Sequence, residues 1–90
     1  MEIDLSNRVA IVTGAGGGLG AAHALALGKR GARVVVADLN AEAAGAVAAR
    51  IEAGGGQAMA CGVSVTDIAG VEAMVADAMG RWGQIGRAHV

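Results

Sequence analysis

The chain has 90 residues, 54% of them apolar and 17% charged, with a formal net charge of −1. That length leaves no room for two folded units, and the near-neutral charge gives no basic stripe for a nucleic acid. Twenty-two residues are alanine and 16 are glycine, Trp82 is the sole aromatic, and proline is absent, so the apolar excess lies in small side chains. A short chain buries only about 60–65% of its unfolded surface, and a self-sufficient core of this size needs larger side chains. A complete, independently working enzyme is therefore not expected. The single Cys61 excludes an internal disulfide and a multi-cysteine metal site. Within its apolar run it reads as a buried structural thiol. No apolar stretch reaches the roughly 18 residues of a membrane span. Glu2 and Asp4 stand where a signal peptide carries base, so a reducing, cytosolic compartment is expected.

In chain order, three strand-then-helix units are predicted. Val9–Thr13 is a short β-branched run of the kind buried on both faces of a parallel sheet. Glycines follow at Gly14, Gly16, Gly17, Gly18 and Gly20, and an alanine- and leucine-rich helix then runs to Arg30 and stops at Gly31. Arg33–Asp38 is the second strand. Asn40 is placed to cap the second helix and Glu42 to complement its positive end. In that helix Ala44, Val47, Ala48 and Ile51 form one apolar stripe, and Gly54, Gly55 and Gly56 end it. The third strand begins at Gln57 and ends at Val63 or Val65. Ser64 or Thr66 is expected to cap a last helix whose apolar face holds Ile68, Val71, Val75, Ala78, Met79 and Trp82. The fold class is α/β: a three-layer, Rossmann-like arrangement on a parallel sheet, incomplete at three β-α units.

The first strand-to-helix turn carries the strongest chemical signal. Glycines there let a pyrophosphate approach the backbone closely, and the free N–H groups and dipole of the helix start favour its charge. Gly20 also permits close helix–strand packing. Asp38 ends the second strand, 18 residues after Gly20, near where an acid binds the adenosine ribose of a dinucleotide. A carboxylate there accepts two hydroxyl hydrogen bonds and repels a 2′-phosphate, and no base stands at Gly17, Leu39 or Asn40 to receive one. NAD is favoured over NADP. A phosphate loop of the NTPase type fails, because no lysine precedes Lys29. A methyltransferase-like reading of Gly16, Gly18 and Gly20 stays open, although Gly14 stands where that motif usually has an acid.

Thr13-Gly14-x-x-x-Gly18-x-Gly20 resembles the cofactor loop of the short-chain dehydrogenases/reductases. The likeness continues through Arg33–Leu39, Val63–Asp67 and Arg81–Ile85, and so covers nearly the whole chain in order. The resemblance implies that Gly14, Gly16, Gly17, Gly18, Leu19 and Gly20 hold the pyrophosphate and Asp38 the ribose. It also implies that Leu39, Ser64 and Val65 border the adenine. The family usually has Asp at the position of Ser64, so the hydrogen bond to the adenine amino group is weakened here. It further implies hydride transfer between a nicotinamide and a carbonyl or alcohol, and a homo-oligomer acting on a small molecule, with no membrane or nucleic-acid partner. The tract Gly16–Leu27, with His23 in it, looks most like members acting on acyl-thioester or simple alcohol substrates.

The family's chemistry uses Ser, Tyr and Lys from its second half. This chain has no tyrosine and one lysine, Lys29, so no catalytic residue is assigned, and His23 reads as a helix-surface residue. After Gln84 the family pattern is lost. Residues 85–90 back-translate as ATC GGA AGA GCA CAC GTC, which resembles a common sequencing-adapter string. The division expected is residues 1–84 as part of a cofactor-binding domain and 85–90 as a non-native tail. Without a fourth strand, Val9–Thr13 would keep an unpaired apolar edge protected by neither charge nor proline. Truncation accounts for this better than a stand-alone nucleotide-binding module does. The isolated chain is expected to be marginally stable and to bind NAD weakly.

Overall fold

The computed structural model describes residues 8–64, 66–82 and 86–89. Elements alternate as β1 (Arg8–Thr13), α1 (Gly18–Lys29), β2 (Arg33–Asp38), α2 (Ala41–Ala53), β3 (Gln57–Gly62), α3 (Ile68–Trp82) and β4 (Gly86–His89). The strands form one parallel sheet in the order β3-β2-β1-β4.

Alternation along the strands divides the core in two. Ala10, Val12, Val34, Val36 and Ala58 face α1 and α2, where they meet Ala21, Ala24, Ala44, Val47, Ala48 and Ile51. Val9, Ile11, Val35 and Ala37 point the other way, against Met74 and Ala78 of α3. Six β-branched side chains, Val9, Ile11, Val12, Val34, Val35 and Val36, are less than 2% exposed or close to it. Each such burial contributes about 1.5–3 kcal/mol, so the two central strands carry most of the apolar stabilisation. The alanine-rich helices add less per residue but lie close to the sheet, which only small side chains allow.

The helix starts explain the register of the units. Asn40 caps α2 as expected, its Oδ1 accepting the Ala43 N–H at 3.0 Å. The stripe Ala44, Val47, Ala48 and Ile51 is buried. At α3 the expected cap is displaced. Asp67 accepts the Gly70 N–H at 3.1 Å, while Ser64 and Thr66 bond to one another instead. A carboxylate immediately before the first helical turn outcompetes hydroxyls farther back. The buried face of α3 is correspondingly centred on Met74 and Ala78. Ile68, in the first turn, is 72% exposed.

Two further expectations change. β3 ends at Gly62, and its outer position in the sheet leaves Cys61 only half-buried, packed against the α3-side core. The edge of β1 is also not open along its length, because Arg8–Ile11 pair with Gly86–His89. Backbone groups on a strand edge accept any extended segment, whatever its side chains. Val65 and residues 83–85 fall outside the described residues.

Asn40→Ala and Asp67→Ala are each expected to lower the unfolding free energy by about 1 kcal/mol. Ile68→Ala should change it by less than about 0.5 kcal/mol. Urea titrations of the three variants check this, and a loss at Ile68 equal to that at the caps would contradict the assignment.

Candidate functional site

The C-terminal ends of β1, β2 and β3 converge on one side of the sheet, and three loops leave from there. The turn after β1 is shaped by glycine for two separate reasons. Gly14 and Gly18 have φ of +64° and +58°, in the left-handed region where a Cβ is disfavoured. Gly16 and Gly20 are constrained by space. A Cβ on Gly20 would collide with the Gly14 carbonyl oxygen, and one on Gly16 would lie 2.9 Å from the Ala43 Cβ and 3.0 Å from the Asp38 carboxylate. Gly17 is extended, at φ −174°, with open space beside its Cα.

The helix that follows is left without a side-chain cap. Among the described residues no side chain bonds the N-terminus of α1, and no acid lies in its first turn. The first intrahelical bond of this turn is the Ala21 N–H to the Gly17 carbonyl. The Gly18, Leu19 and Gly20 N–H groups therefore stand at the positive end of the helix without an intrahelical acceptor. Caps at α2 and α3 make this contrast specific to α1.

Asp38 joins the loop to its neighbours. Its Oδ2 accepts the Gly16 N–H at 2.9 Å, its Oδ1 accepts the Asn40 N–H at 2.9 Å, and its carbonyl accepts the Val63 N–H at 3.0 Å. One residue thus ties together the exits of β1, β2 and β3. The Asn40 N–H first, and the Gly16 N–H second, lower the Asp38 pKa below its ordinary 3.8, against a smaller rise from burial. The carboxylate is ionised at neutral pH, and each oxygen keeps further lone-pair capacity.

Gly14, Asp38, Leu39 and Ser64 line one cleft of about 250 Å³, together with Thr13, Ala37 and Val63. Leu39 is 78% exposed at its mouth. Gly16, Gly17 and Gly18 border a second groove of about 520 Å³ between α1 and α2. Leu19 and Gly20 lie in the first turn of α1, with Leu19 73% exposed. Val65 is outside the described residues. His23 is exposed on α1, away from both clefts. Thr66, expected from the sequence only as a helix cap, instead bonds Ser64, and its place two residues after Ser64 is the spacing of a hydroxyl turn.

These residues fit a dinucleotide. The turn is a cradle that two Cβ atoms would fill, it opens an uncapped helix start, and an ionised carboxylate stands beside it. A family model described as short chain dehydrogenase matches residues 8–87. The chain belongs to that family. Its relatives include sorbitol dehydrogenase of Cereibacter sphaeroides, 44% identical over 81 residues, covering 90% of this chain and 30% of the relative. The 7alpha-hydroxysteroid dehydrogenase of Escherichia coli is 40% identical over 84 residues, covering 93% of this chain and 33% of the relative. A solved 7alpha-hydroxysteroid dehydrogenase in complex with NADH and 7-oxo glycochenodeoxycholic acid superposes with a TM-score of 0.85 at 39% identity. It covers 91% of this chain and 32% of that one. The chain spans about a third of the length of the curated relatives it matches. Family membership leaves the methyltransferase-like reading without support. Among the described residues, no helix is long and apolar enough to cross a membrane.

Folding lowers the Asp38 pKa, so the ionised carboxylate stabilises the fold above its ordinary value of 3.8. That contribution is lost as pH falls through the lowered value. Asp38→Asn should therefore lose less stability than the wild type as pH falls from above 3.8 through the lowered value. Urea unfolding at several pH values measures it, and parallel curves for the two proteins would contradict the assignment.

Proposed function

We propose that this chain is the dinucleotide-binding part of an NAD-dependent short-chain oxidoreductase. The observation that carries the proposal is the pairing of the uncapped start of α1 with the Asp38 carboxylate that accepts the Gly16 N–H. In this reading the Gly18, Leu19 and Gly20 N–H groups receive the pyrophosphate, at the end of the helix where charge is favoured. Gly14, Gly16 and Gly17 keep the approach clear of side chains. The free lone pairs of Asp38 accept the ribose hydroxyls, and Leu39, Val63, Ser64 and Val65 border the base.

Asp38 also sets the choice of cofactor. Its ionised oxygens accept hydrogen bonds from hydroxyls and repel a phosphate in the same place, and Leu39 and Asn40 beside it carry no charge. NAD is accordingly favoured over NADP. Bound there, the cofactor would supply a hydride acceptor or donor for an alcohol or carbonyl. The residues of this chain bind and orient it. Proton transfer to the substrate is assigned to the part of the full-length protein that corresponds to the relatives' unmatched two-thirds. The working protein is proposed to be a cytoplasmic homo-oligomer with a small-molecule substrate, an alcohol or an acyl thioester. Residues 1–84 are assigned to the cofactor-binding domain and residues 85–90 to a tail outside the native reading frame. Sequencing the source locus beyond Gln84 tests that boundary, and a continuous native frame through these codons would overturn it.

Calorimetric titration of the full-length protein should give NAD at least tenfold tighter than NADP, a difference of about 1.4 kcal/mol or more. Asp38→Ala should narrow the gap by weakening NAD and relieving the repulsion of NADP. Tighter NADP binding by the wild type would overturn the cofactor assignment. Gly20→Ala, whose Cβ meets the Gly14 carbonyl, should weaken both dinucleotides together.

A further inference from the structure

At the opposite ends of the strands lies a cleft of about 380 Å³ that the dinucleotide site does not use. It opens between the end of α1 and the start of β3. Five of its lining residues are glycines at the ends of α1 and α2, and Lys29, Arg33 and Gln57 supply the side chains. Among the described residues, no acid lines it. The helix ends that border it present little negative charge, because their last carbonyls are engaged. The Leu27, Gly28, Arg50 and Ile51 oxygens accept N–H groups of the turns that follow. Lys29 is exposed on the rim. Arg33 Nε donates to Gln57 Oε1 at 3.0 Å, which holds the guanidinium beside the first residue of β3. The result is a glycine floor with a cationic rim.

The chain enters β1 at this same end of the sheet. Val9 pairs with Arg33, and Arg33 with Gln57. Neighbouring strands stand about 4.8 Å apart, so Gln57 is about 10 Å from β1 across the sheet. Residues 1–7 lie outside the described residues and read Met-Glu-Ile-Asp-Leu-Ser-Asn. Seven extended residues span about 23 Å, twice that distance. Side chains alternate along an extended chain, so Met1, Ile3 and Leu5 fall on one side of the segment and Glu2 and Asp4 on the other. One side suits the glycine floor and the other suits the cations.

We propose that residues 1–6 form a strap that crosses from β1 into this cleft. Its apolar side rests on the glycines, and Glu2 and Asp4 meet Lys29 and Arg33. Charge and reach together select this occupant. A segment tethered at the edge of the cleft has a high effective concentration there, which a separate acidic partner lacks. The strap fastens the ends of α1 and α2 to the start of the sheet, on the side away from Asp38. The Gly54–Gly56 cleft is thus a seat for the chain's own N-terminal segment.

Backbone amide NMR and hydrogen exchange on the full-length protein test this. Replacing residues 1–6 by a single Met should shift the Gly31, Gly55 and Gln57 amides and leave those of Gly16, Gly18 and Gly20 in place. In the intact chain, Glu2→Gln with Asp4→Asn should speed exchange of the Gly31 and Gly56 amides about threefold, the effect of two exposed ion pairs. With Lys29→Gln and Arg33→Gln already present, the same two substitutions should add nothing. No acceleration, or equal acceleration in both backgrounds, overturns the inference. So does a folded truncated chain whose Gly31, Gly55 and Gln57 amides stay in place, the result expected if a second copy, a separate partner or nothing occupies the cleft. Shifts at Arg81 and Arg87 instead would run the segment to the other side of β1 and overturn it equally. If the truncated chain does not fold, the substituted chains, which keep the segment's length, decide the matter.

Discussion

Much of this site depends on the hydrogen bonds that converge on Asp38. The carboxylate accepts N–H groups from the glycine turn and from the entry of α2, and the carbonyl of the same residue receives the Val63 N–H beyond β3. Three segments distant in sequence are held to a single residue at the end of the central sheet. Two N–H donors also keep the carboxylate ionised, so a negative charge stands beside a cleft whose other lining side chains carry no charge. The same bonds that organise the loops therefore determine what can enter beside them. Under the proposed function, this charge accepts hydroxyls and repels a phosphate.

The glycine turn meets this carboxylate under steric demands that leave few alternatives. Positive φ at Gly14 and Gly18 turns the chain from strand into helix, and the absence of Cβ atoms at Gly16 and Gly20 lets it pass close to Asp38 and to its own exit from β1. Glycine has a high conformational cost on folding. The helix then begins without a cap, which forgoes about 1 kcal/mol of local stabilisation, whereas Asn40 and Asp67 supply caps at the other two helices. A start of this kind is stabilised by an anion, and the proposed function assigns a pyrophosphate to that role.

Much of this was legible in the sequence because it follows from local rules. β-branched runs mark the strands, glycine placement marks the first turn, and Asn40 and the stripe Ala44–Ile51 mark α2. Less could be read where several neighbours competed. Ser64, Thr66 and Asp67 all have capping side chains, and only the three-dimensional path of the loop decides that Asp67 caps α3 while the hydroxyls bond together. Periodicity assigned Ile68 to the buried face but could not place the origin of that face, which the contacts of Met74 and Ala78 fix. The pairing of β1 with Gly86–His89 escaped a reading based on side chains, because backbone hydrogen bonds carry no sequence signature. The place of Asp38 at the end of the second strand led to its expectation as a ribose ligand, but its hold on Gly16 needed the fold.

Among the described residues, the places where glycines border a cleft include two distinct regions. One is the turn at Gly14–Gly20, and the other lies around Gly54, Gly55 and Gly56, at the opposite ends of the strands beside Lys29 and Gln57. Only the first joins an uncapped helix start to an ionised carboxylate. The most direct test of the account is a residue-resolved backbone amide NMR titration of the full-length protein with NAD. The account predicts saturable shifts of the Gly16, Gly18, Leu19 and Gly20 amides, with Gly54, Gly55 and Gly56 unmoved. Shifts confined to the Gly54–Gly56 turn, or none at Gly18 through Gly20 at saturating NAD, would contradict it.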